Sequence, residues 1–88
     1  MRLDKFLQVS RLIKRRTVAN TLCDRGQVLV NGQKAKAGKE LAVGDIISLT
    51  VGERGAAEYE VMEVPSGHVP REKAATLYRQ INESREKT

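Results

Sequence analysis

The sequence predicts a small α+β protein, because two helical patterns are followed by a switch to strand patterns and then by one further helical pattern. The chain has 88 residues, a length that suits one domain with a modest core. Apolar residues recur at helical spacing near both ends, whereas the middle carries short β-branched runs separated by glycine turns. We expect two N-terminal helices packed on a short antiparallel or mixed sheet, with an amphipathic helix at the C-terminus.

The first two helices are predicted on either side of a basic connector. Residues 3–10 carry apolar side chains at helical spacing, and Asp4 lies where a helix dipole favours an acid. The connector SRLIKRRT, residues 10–17, contains four cationic side chains. Thr17 is a good N-cap for the second helix, and Gly26 is its expected left-handed stop. The apolar positions of this second helix are Val18, Ala19, Leu22 and Cys23.

A β-hairpin is predicted directly after the second helix. The stretch QVLVNGQKAKAG places Asn31-Gly32, a strong signal for a two-residue turn, after the alternating pattern of a strand. Lys34 and Lys36 lie two positions apart on the returning arm. We therefore expect these two lysines on the same face.

The remainder of the chain predicts two strands and a helix. Residues 46–51 and 56–64 read as strands joined by a hairpin turn at 52–55. Pro70 suits a first helical turn, and we expect an amphipathic helix from there to the end of the chain, docked on Met62 and Val64. Its apolar stripe comprises Ala74, Leu77, Tyr78 and Ile81.

The charges are segregated along the chain. Residues 1–39 contain ten Lys and Arg against two Asp, a net charge of +8, whereas residues 40–88 contain six basic groups against nine acids, a net of −3, which together give the formal +5. A positive face of this kind attracts polyanions, of which nucleic acid is our first candidate and an acidic membrane surface the second. One cysteine excludes an internal disulfide. With neither a secretory signal nor an apolar membrane span, we expect a cytoplasmic protein.

The order of these features resembles the RNA-binding domain named after small-subunit ribosomal protein S-four, also called the alpha-L motif. The resemblance covers residues 1–51, and residues 52–88 are expected to complete the sheet and add the C-terminal helix within one compact domain. It implies that the two helices and the following strand and turn present one positive surface to structured RNA. The motifs that carry it are Arg2-Leu3-Asp4, Gly26, Val30-Asn31-Gly32 and Gly44-Asp45.

The opening MRLDKFLQVSRLIKRRT and the absence of a long basic C-terminal tail are similar to the RqcP family of ribosome-quality-control proteins. That resemblance implies a factor that binds the large ribosomal subunit, split from a stalled ribosome and still carrying peptidyl-tRNA. The factor holds this tRNA against large-subunit rRNA while an RqcH-type partner adds an alanine tail. It implies a monomer without a cofactor. The related heat-shock-protein-fifteen family, which binds abortive large subunits, is the alternative.

The candidate site is a set of cations, because structured RNA is recognised largely through phosphates, 2′-hydroxyls and shape. Arginine suits this task, since its planar fork bonds two phosphate oxygens at once. The competing interpretation is a solvated charged face, and Arg2 could simply pair with Asp4. Arg16 is the residue that we expect to matter most. The predicted RNA-binding residues are Arg2, Lys5, Arg11, Lys14, Arg15, Arg16, Lys34 and Lys36.

Two other function classes are less well supported by the sequence. A DNA-binding helix-turn-helix needs base-reading side chains on its second helix, where only Asn20 and Thr21 are available. An enzyme needs a nucleophile, a base and an oxyanion donor, and these cannot be assembled here, so we expect no catalytic residues. His68 lacks partners at ligand spacing, so neither a metal site nor a cofactor is predicted. Cys23 is expected to be a buried small hydrophobe.

Overall fold

A five-stranded antiparallel sheet and two α-helices share one apolar core. The computed structural model describes residues 1–50 and 56–83 of the chain. The strands lie side by side in the order β2-β1-β3-β4-β5, which confirms the α+β class. The elements are α1 (Leu3–Val9), α2 (Arg16–Asp24), β1 (Val28–Val30), β2 (Gln33–Lys34), β3 (Ile46–Thr50), β4 (Ala56–Val61), a 3-10 helix (Arg71–Leu77) and β5 (Tyr78–Glu83).

The two α-helices lie close to their predicted positions. Helix α1 ends one residue before the predicted limit of residue 10, and α2 stops before Gly26, whose φ of 72° confirms the predicted left-handed stop. The prediction of Thr17 as N-cap is wrong, because α2 begins at Arg16 and Arg15 occupies the N-cap position without a side-chain cap. Arg16 is bound to Asp4 of α1, a tertiary contact that local cap preference does not include.

The predicted hairpin between β1 and β2 is confirmed. Asn31 and Gly32 both have positive φ, 54° and 85°, as a type I′ turn requires. The Asn31 side chain also joins this turn to the start of β3, because its Nδ2 donates to Asp45 Oδ1 at 3.1 Å and its Oδ1 accepts from the amide of Ile46 at 3.0 Å. Strand β2 is only two residues long, so Lys36 lies just beyond it.

Strands β3 and β4 form the predicted antiparallel pair. Ile47 lies opposite Tyr59, and Ser48 lies opposite Glu58. Strand β4 ends at Val61 rather than at residue 64. The hairpin turn predicted at 52–55 lies outside the described residues.

The C-terminal segment departs from the prediction beyond Leu77. A 3-10 helix follows Pro70 as predicted, but the chain then extends as β5, which pairs with β4 through Val61 opposite Tyr78 and Glu60 opposite Arg79. The prediction of a helix to the end of the chain is therefore wrong for residues 78–83. The strand pairs backbone groups of β4 that a helix would have left at an open sheet edge. Residues 84–88 lie outside the described part.

The predicted docking of that helix on Met62 and Val64 is also changed by the strand. Met62 is exposed, and its backbone amide donates to the carbonyl of Leu77 at 2.8 Å. Val64 does pack against the core. Ala74 and Leu77 are buried as predicted, whereas Ile81 is exposed on β5.

The core fixes α1 and α2 against the sheet. Leu3, Phe6 and Leu7 of α1 are fully buried and belong to the same cluster as Val28 and Ile47. Each such side chain contributes about 1.5–3 kcal/mol by leaving water. No helix among the described residues has the length and apolar character needed to cross a membrane. The basic side chains of α1 and α2 are thus carried by elements whose backbones are held by the core.

The aromatic residues pack on apolar faces. Phe6 is buried, and Tyr59 and Tyr78 meet edge to face with ring centroids 5.4 Å apart. Val18 is the exception among the predicted apolar positions of α2, since it is exposed.

Candidate nucleic-acid interface

Two arginines of the predicted RNA-binding set converge on one buried carboxylate. Arg2 Nε lies 3.2 Å from Asp4 Oδ1, and Arg16 Nε lies 3.1 Å from Asp4 Oδ2. The Nη2 groups of both arginines complete the two forks at 3.4 Å. Asn20 Nδ2 donates a third contact to Oδ2 at 2.7 Å. We call Arg2, Asp4, Arg16 and Asn20 the Asp4 clamp.

The Asp4 clamp keeps its acid ionised and its arginines accessible. Burial by itself raises the pKa of Asp4, but the hydrogen bonds and charges of Arg2 and Arg16 outweigh burial and lower this pKa below its ordinary value. The side chains of Arg2 and Arg16 remain 53% and 42% exposed, whereas that of Asp4 is 1% exposed. Neither Nη1 group has an acceptor among the described residues. The clamp therefore presents two oriented guanidinium groups with a local net charge of +1.

Backbone contacts hold the start of α1 in place. Arg2 forms an isolated antiparallel bridge with Glu40. The amide of Leu3 donates to the carbonyl of Lys39 at 2.8 Å, and that of Asp4 donates to the carbonyl of Ala37 at 3.1 Å. The start of α1 is thereby fixed at both its side chains and its backbone.

Three further predicted cations line one open groove beside α1. Lys5, Arg11 and Lys14 border a volume of about 440 Å³, and His68 lies on its opposite wall. Arg11 has a φ of 66°, at the position after the helix where glycine is the usual residue. A left-handed arginine costs about 1–2 kcal/mol. Such strain is common at binding sites.

The lysines of the hairpin form a second, separate group. Lys34 and Lys36 line a cavity of about 250 Å³ together with Arg25 and Gly26. Arg25, which is outside the predicted set, is therefore close to two of its members. Arg15 is exposed at the N-cap of α2. The eight predicted residues are all exposed, and they divide into the clamp pair, the groove group, the hairpin pair and Arg15.

Comparison with known families places all four of these groups of cations in one recognised unit. The S4 domain matches residues 1–47, which is more than half of the chain and contains the whole Asp4 clamp and the hairpin. This chain belongs to the S4 domain family. The S4 part thus carries all eight cations predicted to contact RNA, whereas β4, the 3-10 helix and β5 lie beyond it.

Two relatives of this S4 protein are similar over nearly their whole length. The RQC P-site tRNA stabilizing factor of Halalkalibacterium halodurans is 47% identical over 78 residues, which cover 89% of this chain and 86% of that protein. The RQC P-site tRNA stabilizing factor of Bacillus subtilis is 40% identical over 85 residues, 97% of this chain and 96% of that protein. The resemblance to the ribosome-quality-control family is therefore confirmed.

A solved structure supports the same fold. The trimeric structure of heat shock protein 15 from Vibrio cholerae superposes with a TM-score of 0.81 at 31% identity, covering 92% of this chain and 81% of that chain. This S4 protein therefore resembles the heat-shock family as well, at a lower sequence identity than the two stabilizing factors.

Sequence reasoning missed the contacts of Arg16 and Asn20 with Asp4 in the S4 part. The pairing of Arg2 with Asp4, the competing interpretation for Arg2, is present in the structure, but the sequence patterns do not connect Arg16 or Asn20 to this acid. The signal was present in the spacing, because Arg16 and Asn20 lie four residues apart and therefore on one face of α2. Thr21 Oγ1 donates to the carbonyl of Thr17 at 3.1 Å. Since Asn20 and Thr21 are both engaged internally, α2 is poorly equipped as a DNA-recognition helix.

The remaining candidates are Cys23 and the side chains that could bind a metal ion. Cys23 is buried, as predicted, and burial together with the charges of Asp4 and Asp24 raises the pKa of its thiol. Within residues 1–50 and 56–83, no group of three or more His, Cys, Asp or Glu is arranged to hold a metal ion.

Proposed function

We propose that this protein is a non-enzymatic RNA-binding factor that stabilises P-site tRNA on the large ribosomal subunit. The observation that carries the proposal is the Asp4 clamp, because it holds Arg2 and Arg16 on the surface of an S4 domain, with Nη1 groups that have no acceptor in the described part of the chain. The two similar proteins are named as stabilizing factors for P-site tRNA, which supports this tRNA as the ligand.

The geometry of the clamp suits phosphate recognition. A guanidinium carries five N–H donors in a rigid plane, and Asp4 occupies only the Nε and Nη2 edge of each arginine. The opposite edge can bond phosphate oxygens in a charge-assisted way. Because the two side chains are already ordered, binding loses less rotamer entropy than free arginines would. With about five phosphate contacts, the affinity should fall by roughly two orders of magnitude between about 50 and about 200 mM salt.

The role of the protein in ribosome quality control is proposed from the family resemblance. We propose that the protein acts in the cytoplasm as a monomer and binds large subunits that have split from stalled ribosomes with peptidyl-tRNA still attached. It contacts large-subunit rRNA and keeps the tRNA in position while an RqcH-type factor extends the stalled chain with alanine. Its own contribution is binding, with no catalytic residue and no cofactor. Residues 1–51 supply the RNA-binding part, and residues 52–88 complete the same compact domain.

The heat-shock-protein-fifteen role is the second candidate, favoured by the structural match at a TM-score of 0.81. Deletion of the gene separates the two roles. We expect the alanine tails on stalled peptides to disappear in the deletion strain and to return when the wild-type gene is restored. Persistence of the tails would favour the heat-shock role.

The direct test is co-sedimentation with purified large subunits that carry P-site tRNA. We expect Arg16→Ala to weaken binding about tenfold or more, since a hydrogen bond to a charged group contributes about 1.5–3 kcal/mol. Arg79→Ala is the matched control, because it removes the same charge from β5, outside the S4 part.

Thermal unfolding of both variants accompanies the binding measurement, to show that each is folded. In Arg16→Ala, Asp4 still has Arg2 and Asn20 as partners. Equal binding of the wild type and the folded Arg16→Ala variant would contradict the proposed site.

A further inference from the structure

The loop at residues 65–69 lies against α1, although it comes from the half of the chain beyond the S4 match. Two open cavities lie between them. One, of about 440 Å³, is bordered by Lys5, Arg11 and Lys14 on one side and by His68 on the other. The second, of about 290 Å³, lies between Arg2 and Lys5 and the start of the loop. Lys5 and Gly67 line both cavities, so the two are neighbours, and we call them together the α1–loop trough.

The charge of the α1–loop trough is of one sign. Its α1 side carries Arg2, Lys5, Arg11 and Lys14, and none of the described residues that line either cavity is acidic. Arg2 is ion-paired with Asp4, whereas Lys5, Arg11 and Lys14 have no acidic partner among the described residues. The like charges of these three side chains repel one another, and a polyanion relieves that repulsion. The strained φ of Arg11 fits the same interpretation, because a cation is present where glycine would fold more easily.

The loop side supplies hydrogen-bond donors of its own. Among the described residues, no group accepts a hydrogen bond from the backbone amides of Ser66, Gly67 or His68. These amides can therefore donate to a ligand. The imidazole of His68, which is exposed, carries an N–H donor in either protonation state. Backbone amides beside cations are common partners of phosphate oxygens.

We propose that the α1–loop trough holds the phosphate backbone of an RNA strand, so that the RNA-binding surface extends beyond the S4 part onto residues 65–69. The inference rests on the proposed function and deepens it, because it adds a second wall to the basic face of α1. An RNA strand seated there contacts cations on one side and the loop amides and His68 on the other.

Site-directed hydroxyl-radical probing tests this placement on large subunits that carry P-site tRNA. Gly67→Cys places a single thiol in the trough, and a Cβ at this position meets no atom within 4 Å. The native Cys23 is buried, so an Fe(II)–EDTA reagent attaches to the new thiol. The matched control is Gln80→Cys, an exposed position on β5, at the opposite edge of the sheet from the basic hairpin.

We expect RNA cleavage above background from the Gly67→Cys probe and background cleavage from the Gln80→Cys probe. The Gln80→Cys conjugate should pellet like the wild type, and the Gly67→Cys conjugate should pellet more weakly because its reagent occupies part of the trough. In parallel, Lys14→Gln should reduce the steepness of the salt dependence by about one unit in the log–log slope, whereas Arg79→Gln should leave it unchanged.

The outcomes separate the inference from the proposed function. If both conjugates pellet with the subunits and the Gly67→Cys probe cuts no RNA, the trough is not an RNA site, while the proposed function stands. Equal cleavage from the two positions also overturns the inference. Failure of the wild-type protein itself to pellet overturns the proposed function and the inference together.

Discussion

The Asp4 clamp and the Glu60–Arg79 pair each join a carboxylate to arginine, yet they have different consequences. Asp4 is buried and shared between two arginines and Asn20. Glu60 is 27% exposed and holds only Arg79, itself 64% exposed, with Nη2 2.6 Å from Oε1. One site has more cations than acids, and the other is balanced.

The difference shows that burial and charge balance, rather than the distance between the two charged groups, determine whether an ion pair leaves net charge at the surface for a ligand. The Glu60–Arg79 contact is the shorter of the two, but water screens it and no net charge remains for a ligand. In the clamp, one buried acid orients two guanidinium groups and leaves a surplus positive charge at the surface. The basic half of the molecule thus carries a positive charge that no acid of the clamp balances, while the sheet edge has an internally satisfied pair.

Loss of the shared acid should have the largest effect on stability. We expect Asp4→Ala to lower the free energy of unfolding by about 2–4 kcal/mol, because three donors lose a buried charged acceptor and the two arginines repel each other. Urea unfolding followed by circular dichroism measures this change. A loss below about 1 kcal/mol would place the clamp in the same class as the surface pair.

The clamp should also make stability depend on pH. The native pKa of Asp4 is lowered, so its contribution is complete above the unfolded-state value of about 3.9 and is lost as the pH falls from there through the lower native value. The stability difference between the wild type and Asp4→Ala should therefore be constant from pH 7 to about 5 and narrow below about 4. Urea unfolding at each pH measures this difference.

The control for this pH experiment is Val61→Ala, which removes buried apolar contacts of β4 and no titrating group. Its deficit relative to the wild type should stay the same across the range. A difference for Asp4→Ala that is equally flat down to pH 3 would show that the ionised clamp does not stabilise the protein.

A change of cation shape should have an intermediate effect. We expect Arg16→Lys to weaken binding to large subunits about tenfold although the charge is kept, because an ammonium group cannot bond Asp4 with one edge and a phosphate with the other. Filter binding at fixed salt measures the ratio. Lys14→Arg, which also keeps the charge, serves as the control and should bind at least as well as the wild type. Wild-type affinity in Arg16→Lys would mean that Arg16 acts only as a point charge.

The exposed pair should have the smallest effect. Glu60→Gln is expected to change the free energy of unfolding by less than about 1 kcal/mol and to leave RNA binding within error, because β4 and β5 lie outside the S4 part. The urea and sedimentation assays used for the clamp variants apply unchanged. A larger loss of stability would mean that Glu60, like Asp4, makes a substantial contribution to the free energy of unfolding.

Much of the N-terminal half could be predicted from sequence, because its signals are local. The helical spacing of Leu3, Phe6 and Leu7 determines the conformation of the residues around it, and so does the positive-φ pair Asn31-Gly32. The exposure of the predicted cations could also be predicted, because charged side chains in a small protein are rarely buried.

The C-terminal strand and the clamp could not be predicted in the same way, because long-range contacts decide them. Residues 74–81 fit a helical stripe, but pairing with the open edge of β4 selects a strand from Tyr78 onwards. Asp4 and Arg16 are twelve residues apart in sequence, and no helix dipole or cap rule describes a carboxylate shared across two helices. The trough depends on residues 65–69 returning to α1, which only the tertiary structure shows.

The left-handed backbone at Arg11 has a consequence for evolution and engineering. Glycine adopts this conformation without a steric penalty, so Arg11→Gly would relieve about 1–2 kcal/mol of backbone strain in the folded state. A screen that selected this protein for thermal stability alone would therefore favour glycine at position 11 and discard a cation in the process. Under the proposed function, the best-folding residue and the RNA-binding residue at this position differ, and a laboratory optimisation must choose which of the two properties it measures.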